Sequence, residues 1–143
     1  MAWKRRDLIP DYEQFVVDTH AFIWFLGNDP KLGPNASRIL QTFHGKLILP
    51  AIALAEACWI VGAGKSNLKV ETILTALDQD NRFYIYSMNR EVVEKCNSLT
   101  TIREMHDRQI VASTMLMIER GTQTALLTID KNISESALVP VVW

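Results

Sequence analysis

Short apolar runs alternate with stretches of helical period along this chain. Residues 15–17 (FVV) read as a buried strand, and residues 21–26 as a helix stopped by the turn-forming GNDP. Pro34 suits the first position of a second helix, continued by NASRILQTF. Residues 46–49 read as a second strand, and residues 51–61 as a helix ending at Gly62. Val70, Ile73, Leu74 and Leu77 share one helical face, which reads as ordinary core. Residues 83–86 alternate as a strand does, and residues 90–99 form a short helix. A longer helix over 107–120 is closed by Gly121, followed by strands at 124–128 and 138–142. This alternation predicts an α/β fold, a parallel sheet with helices on both faces.

Four acidic residues stand at the edges of these apolar segments. Asp18 ends FVVD, Glu56 interrupts LILPAIALAEACWIV, Asp107 opens DRQIVASTMLMI, and Asp130 closes TALLTID. In open parallel sheets, ligands bind beyond the carboxyl ends of the strands. Asp18 and Asp130 follow predicted strands, while Glu56 and Asp107 lie early in helices that can begin at the same edge. An ionised carboxylate is costly in apolar surroundings unless paired, hydrogen-bonded or bound to metal. Four together suit a hard divalent cation, Mg²⁺ or Mn²⁺. Each also has a local explanation. Asp18 can cap the helix starting near Thr19, Asp107 can complement a helix dipole, and Asp130 can form a turn in DKN. Glu56 has no obvious local partner. Such a set needs no Ser, Cys or His nucleophile, in keeping with a chain whose histidines are His20, His44 and His106.

Composition narrows the class. With 143 residues, 48% of them hydrophobic and 22% charged, the chain reads as one ordinary globular domain. A net charge of −1 offers no general basic footprint for nucleic acid, so such contacts fall to local residues such as Arg108, Lys131 or Lys65. Cys58 and Cys96 lack metal-ligand spacing and read as reduced thiols. The N-terminus has no apolar signal core, and residues 47–61 are too short and too interrupted to span a membrane. A cytoplasmic protein is expected. The GAGKS segment at 62–66 lacks the first glycine of a phosphate loop, having Trp59 there, and follows a helix.

The segments VVDTHAFIWFL, ILPAIALAEACWI, REMHDRQIVAST and ALLTID resemble, in order, the four motifs of PIN-domain nucleases, particularly toxin ribonucleases of the VapC type. The resemblance implies one domain over residues 1–143, with 1–14 as a short extension, and a three-layer sandwich around a five-stranded parallel sheet. It implies an endoribonuclease dependent on Mg²⁺ or Mn²⁺, the toxin of a type II toxin–antitoxin pair. Asp18, Glu56 and Asp107 match the core catalytic, metal-binding acids, and Asp130 matches the fourth. Thr128 and Thr19 match supporting positions. The implied partners are an RNA substrate, an antitoxin that covers the acidic cleft and a second copy in a homodimer, with residues 67–99 as the region for partner contacts. The third motif departs from the family pattern: Glu104 is one candidate for an upstream acid, and His106 replaces an aromatic residue.

Other readings keep the fold and change the biological role, to an RNA-processing or DNA nuclease or to a binding module without catalysis. A phosphoacceptor receiver domain needs adjacent acids near the first strand, where this chain has Val17 and Asp18.

Overall fold

The computed structural model describes residues 11–143. The elements run β1 (Gln14–Val17), α1 (Thr19–Leu26), α2 (Pro34–Thr42), β2 (Lys46–Pro50), α3 (Ala51–Gly62), α4 (Val70–Gln79), β3 (Phe83–Tyr86), α5 (Arg90–Asn97), α6 (Met105–Glu119), β4 (Thr124–Leu127), α7 (Lys131–Ser136) and β5 (Val141–Val142). All the strand pairings are parallel, in the order β3-β2-β1-β4-β5. Every position of β1 and β4 is buried, because helices cover both faces of the central strands. The edge strand β3 is partly exposed.

The expected five-stranded parallel sheet is therefore present, with three differences in detail. The long helix α6 begins at Met105, two residues ahead of Asp107. The last strand is only Val141–Val142. Residues 131–136, to which the sequence assigned nothing beyond a turn in DKN, form the short helix α7, whose one buried side chain is Ile133. A helix of six mostly polar residues has too little apolar face to announce itself. The extension expected over 1–14 lies, for residues 1–10, outside the described residues. Within the rest of it, Tyr12 packs edge-on against Phe15, and Glu13 N–H donates to the Gln123 carbonyl at 2.8 Å. In the 67–99 region, Ile73 is fully buried while Leu74 is exposed, so only part of that stripe is core.

Phe22, Leu40, Leu47, Leu49, Ile73, Ile110, Leu126 and Leu127 are fully buried and fill the space between sheet and helices. Phe15 meets Phe43 edge-on at 4.9 Å and Phe22 meets Phe83 at 5.4 Å, which fixes α1 and α2 against the strands. Helix α2 has no side-chain cap at its N-terminus. The Trp143 carbonyl serves instead, accepting from Asn35 and Ala36 N–H at 3.0 and 3.1 Å. That approach requires glycine at position 33, since a Cβ there would sit 2.6 Å from Trp143 Cδ1.

The other end of α2 is held by Arg82. Its guanidinium donates to the Leu40 and Phe43 carbonyls, each at 2.8 Å, and to the Asp80 carboxylate at 2.9 and 2.8 Å. The Asp80 carboxyl is held below its usual range by these hydrogen bonds from Arg82, against a smaller opposing effect of burial. One side chain thus satisfies the last carbonyls of a helix and joins them to the entry of β3. Arg82→Ala should lower stability by about 2 kcal/mol in urea unfolding, since charged hydrogen bonds are lost and two carbonyls are orphaned. Arg90→Ala, which removes an ion pair whose arginine is 92% exposed, should leave the same curve unchanged.

Candidate active site at the sheet switch point

The strand order reverses direction at β1, with β2 on one side and β4 on the other. This is the switch point at which a crevice opens beyond the strand ends. The register pairs Val17 with Leu127, so the next residues, Asp18 and Thr128, emerge side by side. Asp18 N–H continues the ladder to the Leu127 carbonyl at 3.1 Å. The buried Thr128 hydroxyl donates to Asp18 Oδ2 at 2.5 Å, and its oxygen accepts from Asp130 N–H at 3.1 Å. Asp18 Oδ1 accepts from Thr19 N–H at 2.7 Å, as the N-cap of α1. Burial pushes the Asp18 carboxyl up; Thr128 and Thr19 pull it down, His20 also lowers it, and the Glu56 charge raises it.

Glu56 lies on α3, which follows β2 directly. The partner that its sequence neighbours do not supply comes from elsewhere in the fold. Thr19 Oγ1–H donates to Glu56 Oε1 at 2.9 Å, and His106 Nδ1 lies 3.3 Å from Oε2. Asp130 caps α7, with Oδ1 accepting from Ile133 N–H at 2.9 Å. Asp107 lies in the first turn of α6. The local roles read from the sequence for Asp18 and Asp107 are therefore realised, as a helix cap and a first-turn acid, whereas Asp130 caps a helix where a turn was expected.

Electrostatics shows that the four also share one region. The half-buried Asp107 carboxyl is pushed from 3.8 up to about 7, first by burial, then by the charges of Asp130, Asp18, Glu56 and Glu104. Among the described residues no hydrogen bond to its carboxylate offsets them. Glu104, the candidate upstream acid of the third motif, acts on Asp107 from the exposed loop before α6. Arg108, one of the basic residues expected to face nucleic acid, instead donates from Nε to the Ile102 carbonyl at 2.6 Å and anchors the loop before α6. Cys58 and Cys96 are free thiols.

Clustered hard oxygens and an uncompensated carboxylate are the donor set that a divalent cation relieves. Among the described residues, no three His, Cys, Asp or Glu side chains close tightly around one point. Like charges repel, and Asp18, Glu56 and Asp130 are turned onto local hydrogen bonds. Each carboxylate oxygen retains a further lone pair, so those bonds do not bar coordination. The residues fit such an ion chemically, with Asp107 as the most available ligand.

The PIN domain family model matches residues 15–137. Among curated protein sequences, none matches the chain. Similar solved structures include VapBC2 from Rickettsia felis bound to a DNA fragment from its promoter, with TM-score 0.64 and 16% identity over 90% of this chain and 97% of that one. VapC20 of Mycobacterium tuberculosis, a sarcin–ricin loop cleaving toxin, gives 0.65 at 13% identity over 87% and 96%. VapBC-1 of nontypeable Haemophilus influenzae gives 0.60 at 21% identity over 90% and 96%. At these identities the likeness is one of fold.

The raised Asp107 carboxyl sets a pH dependence. Between about 4 and about 7 the folded chain keeps a proton that the unfolded chain releases, so stability falls as pH rises through that window. In EDTA, the melting temperature should drop between pH 5 and pH 8, and Asp107→Asn should flatten the drop and melt higher than the parent at pH 8. Parallel melting curves for the two proteins would contradict this assignment.

Proposed function

Because the chain belongs to the PIN-domain family, we propose that it is a divalent-metal-dependent endoribonuclease, the toxin of a type II toxin–antitoxin pair. The observation that carries this reading is the Asp107 carboxyl, half-buried at the start of α6 beside Asp130, Asp18, Glu56 and Glu104, and raised to about 7 by burial and those four charges. A protein seldom keeps such a cluster without a positive charge to offset it.

Asp18, Glu56, Asp107 and Asp130 would hold Mg²⁺ or Mn²⁺. When bound, such a cation makes water a better nucleophile at neutral pH and offsets charge on the scissile phosphate. The chain's own residues set the geometry. Thr128 fixes one oxygen of Asp18, Thr19 N–H fixes the other, and the Thr19 hydroxyl fixes Glu56. These bonds keep two carboxylates in place in the face of mutual repulsion, the role of supporting groups behind metal ligands. His106, beside Glu56, orients that carboxylate from the opposite side.

Among the described residues no helix is long and apolar enough to cross a membrane, and we assign the protein to the cytoplasm. The VapBC pairs among the similar structures support a cognate antitoxin covering the acidic cleft, and a homodimer is the expected free form. One of those relatives is a toxin that cleaves the sarcin–ricin loop, which supports RNA as the substrate class.

Single-stranded and structured RNAs should be cut with Mg²⁺ or Mn²⁺ and left intact in EDTA. Asp18→Asn and Asp107→Asn should each lower the rate at least about 100-fold, and Thr128→Val about tenfold, with its deficit shrinking as Mn²⁺ is raised. Equal cutting by the parent with and without EDTA would refute the metal-dependent reading. Cleavage of single-stranded DNA but not RNA would replace the substrate.

A further inference from the structure

A cleft of about 850 Å³ is lined by α1, which Asp18 caps, by the C-terminal half of α3, which bears Glu56, and by the loops that follow the two helices. His20 lines it two residues after Asp18, and Trp59 lines it three residues after Glu56, one turn along α3. Trp59 is 66% exposed, a large apolar ring presented to solvent. The segment following it explains how a cation comes to lie above that ring. Helix α3 ends with Ala63 N–H donating to the Trp59 carbonyl at 2.9 Å and Lys65 N–H to the Ile60 carbonyl at 3.2 Å. Gly64 turns the chain with φ of +77°, a conformation that suits glycine. The reversal sets Lys65 Nζ 5.0 Å from the Trp59 ring centroid. On the facing wall, His20 and Trp24 lie 5.4 Å apart, and Lys31 Nζ sits 5.5 Å from the Trp24 ring. Asp29 lies 3.8 Å from Lys31 and offsets that charge, whereas Lys65 makes no ion pair among the described residues.

We propose that this cleft is a subsite for an unpaired nucleotide of a single-stranded RNA beside the cleavage position, its base stacked on Trp59 and its phosphate met by Lys65. This rests on the ribonuclease reading given above. An exposed aromatic face with a cation at its rim is the pairing that sequence-tolerant strand binding uses, because every base has a π-face and every residue of the strand carries a phosphate. The walls are mixed rather than continuously apolar: Lys65, Ser66 and Asn67 stand beside Trp59, and Asp29 and Lys31 interrupt the apolar Ile23, Trp24, Ile60 and Leu68. A docked amphipathic protein helix would call for a longer run of apolar anchors. The position also compensates for the overall charge of −1. A substrate repelled by the four carboxylates gains a cation and a stacking surface one helical turn away. Paired RNA has its bases stacked inside the duplex and cannot use the ring in this way.

The test is binding of a fluorescein-labelled eight-nucleotide single-stranded RNA to the full chain in EDTA, followed by anisotropy, so that no cleavage intervenes. Trp59→Ala should raise Kd about tenfold or more, and Trp59→Phe should restore most of the loss. Lys65→Ala should reduce the slope of log K against log salt by about 0.7, the signature of one lost phosphate contact on a single strand. Binding of a duplex of the same sequence should be unchanged by Trp59→Ala. Both variants should keep the parent's circular dichroism, since the two side chains are exposed. Equal Kd for parent and Trp59→Ala, or no single-strand binding by the parent at all, would overturn the subsite. Metal-dependent cleavage of a long RNA, lost in Asp18→Asn, is read separately. A failed subsite with that cleavage intact leaves the ribonuclease reading standing.

Discussion

The parallel pairing of β1 with β4 is the constraint on which the site depends. It brings residues 110 positions apart in the chain to one strand end, and Val17 opposite Leu127 delivers Asp18 against Thr128. A shift of one residue in that register would put the two side chains on opposite faces of the sheet. The register is fixed by burial, since a slip would draw the Asp18 carboxylate into the enclosed strand in place of an apolar residue. The hydrophobic effect therefore sets the position of the most polar part of the molecule.

Around that fixed pair, helix starts collect the remaining acids. Asp18, Asp107 and Asp130 stand at the N-termini of α1, α6 and α7, where the partial positive charge of each helix favours a carboxylate. Each placement is favourable alone. Together they crowd negative charge into one crevice, and the cost falls mainly on Asp107, which has no hydrogen bond to offset burial and repulsion. Asp18 is better served by Thr128 and Thr19, although burial still raises it. This unequal distribution separates an anchored carboxylate from one whose protonation responds near neutral pH. It also links fold to chemistry, because the unbalanced charge that weakens the bare protein is what a cation would find attractive.

Much of the fold was legible in the sequence. The runs FVV, LIL and ALL are short, apolar and bounded by turn formers or helix starts, so strand assignment followed from burial alone. Helices with a clear apolar period, such as 70–77, or with proline at the first turn, as at Pro34, were equally plain. The segment KNISES was not, because one buried isoleucine in six residues has no period to read. The candidate site was legible as a list of acids at element edges, strengthened by the order of four motifs. What supports those acids was legible only in part. Thr128 and Thr19 stood as supporting positions, but nothing local showed that the Thr19 hydroxyl reaches Glu56, 37 positions away. Arg108 looked like a free cation and is spent on a loop carbonyl.

The sequence by itself determined which segments had to be buried, where strands gave way to helices, and which carboxylates would sit at those junctions, because apolar periodicity and helix-terminus chemistry are local properties. Only the tertiary structure decided which of those carboxylates would be hydrogen-bonded, which would be left to the charges of its neighbours, and that the walls bearing Trp24 and Trp59 would line one cleft beside them. Those outcomes depend on distances between residues far apart in the chain, and such distances are set by strand register and helix packing, which no single segment encodes.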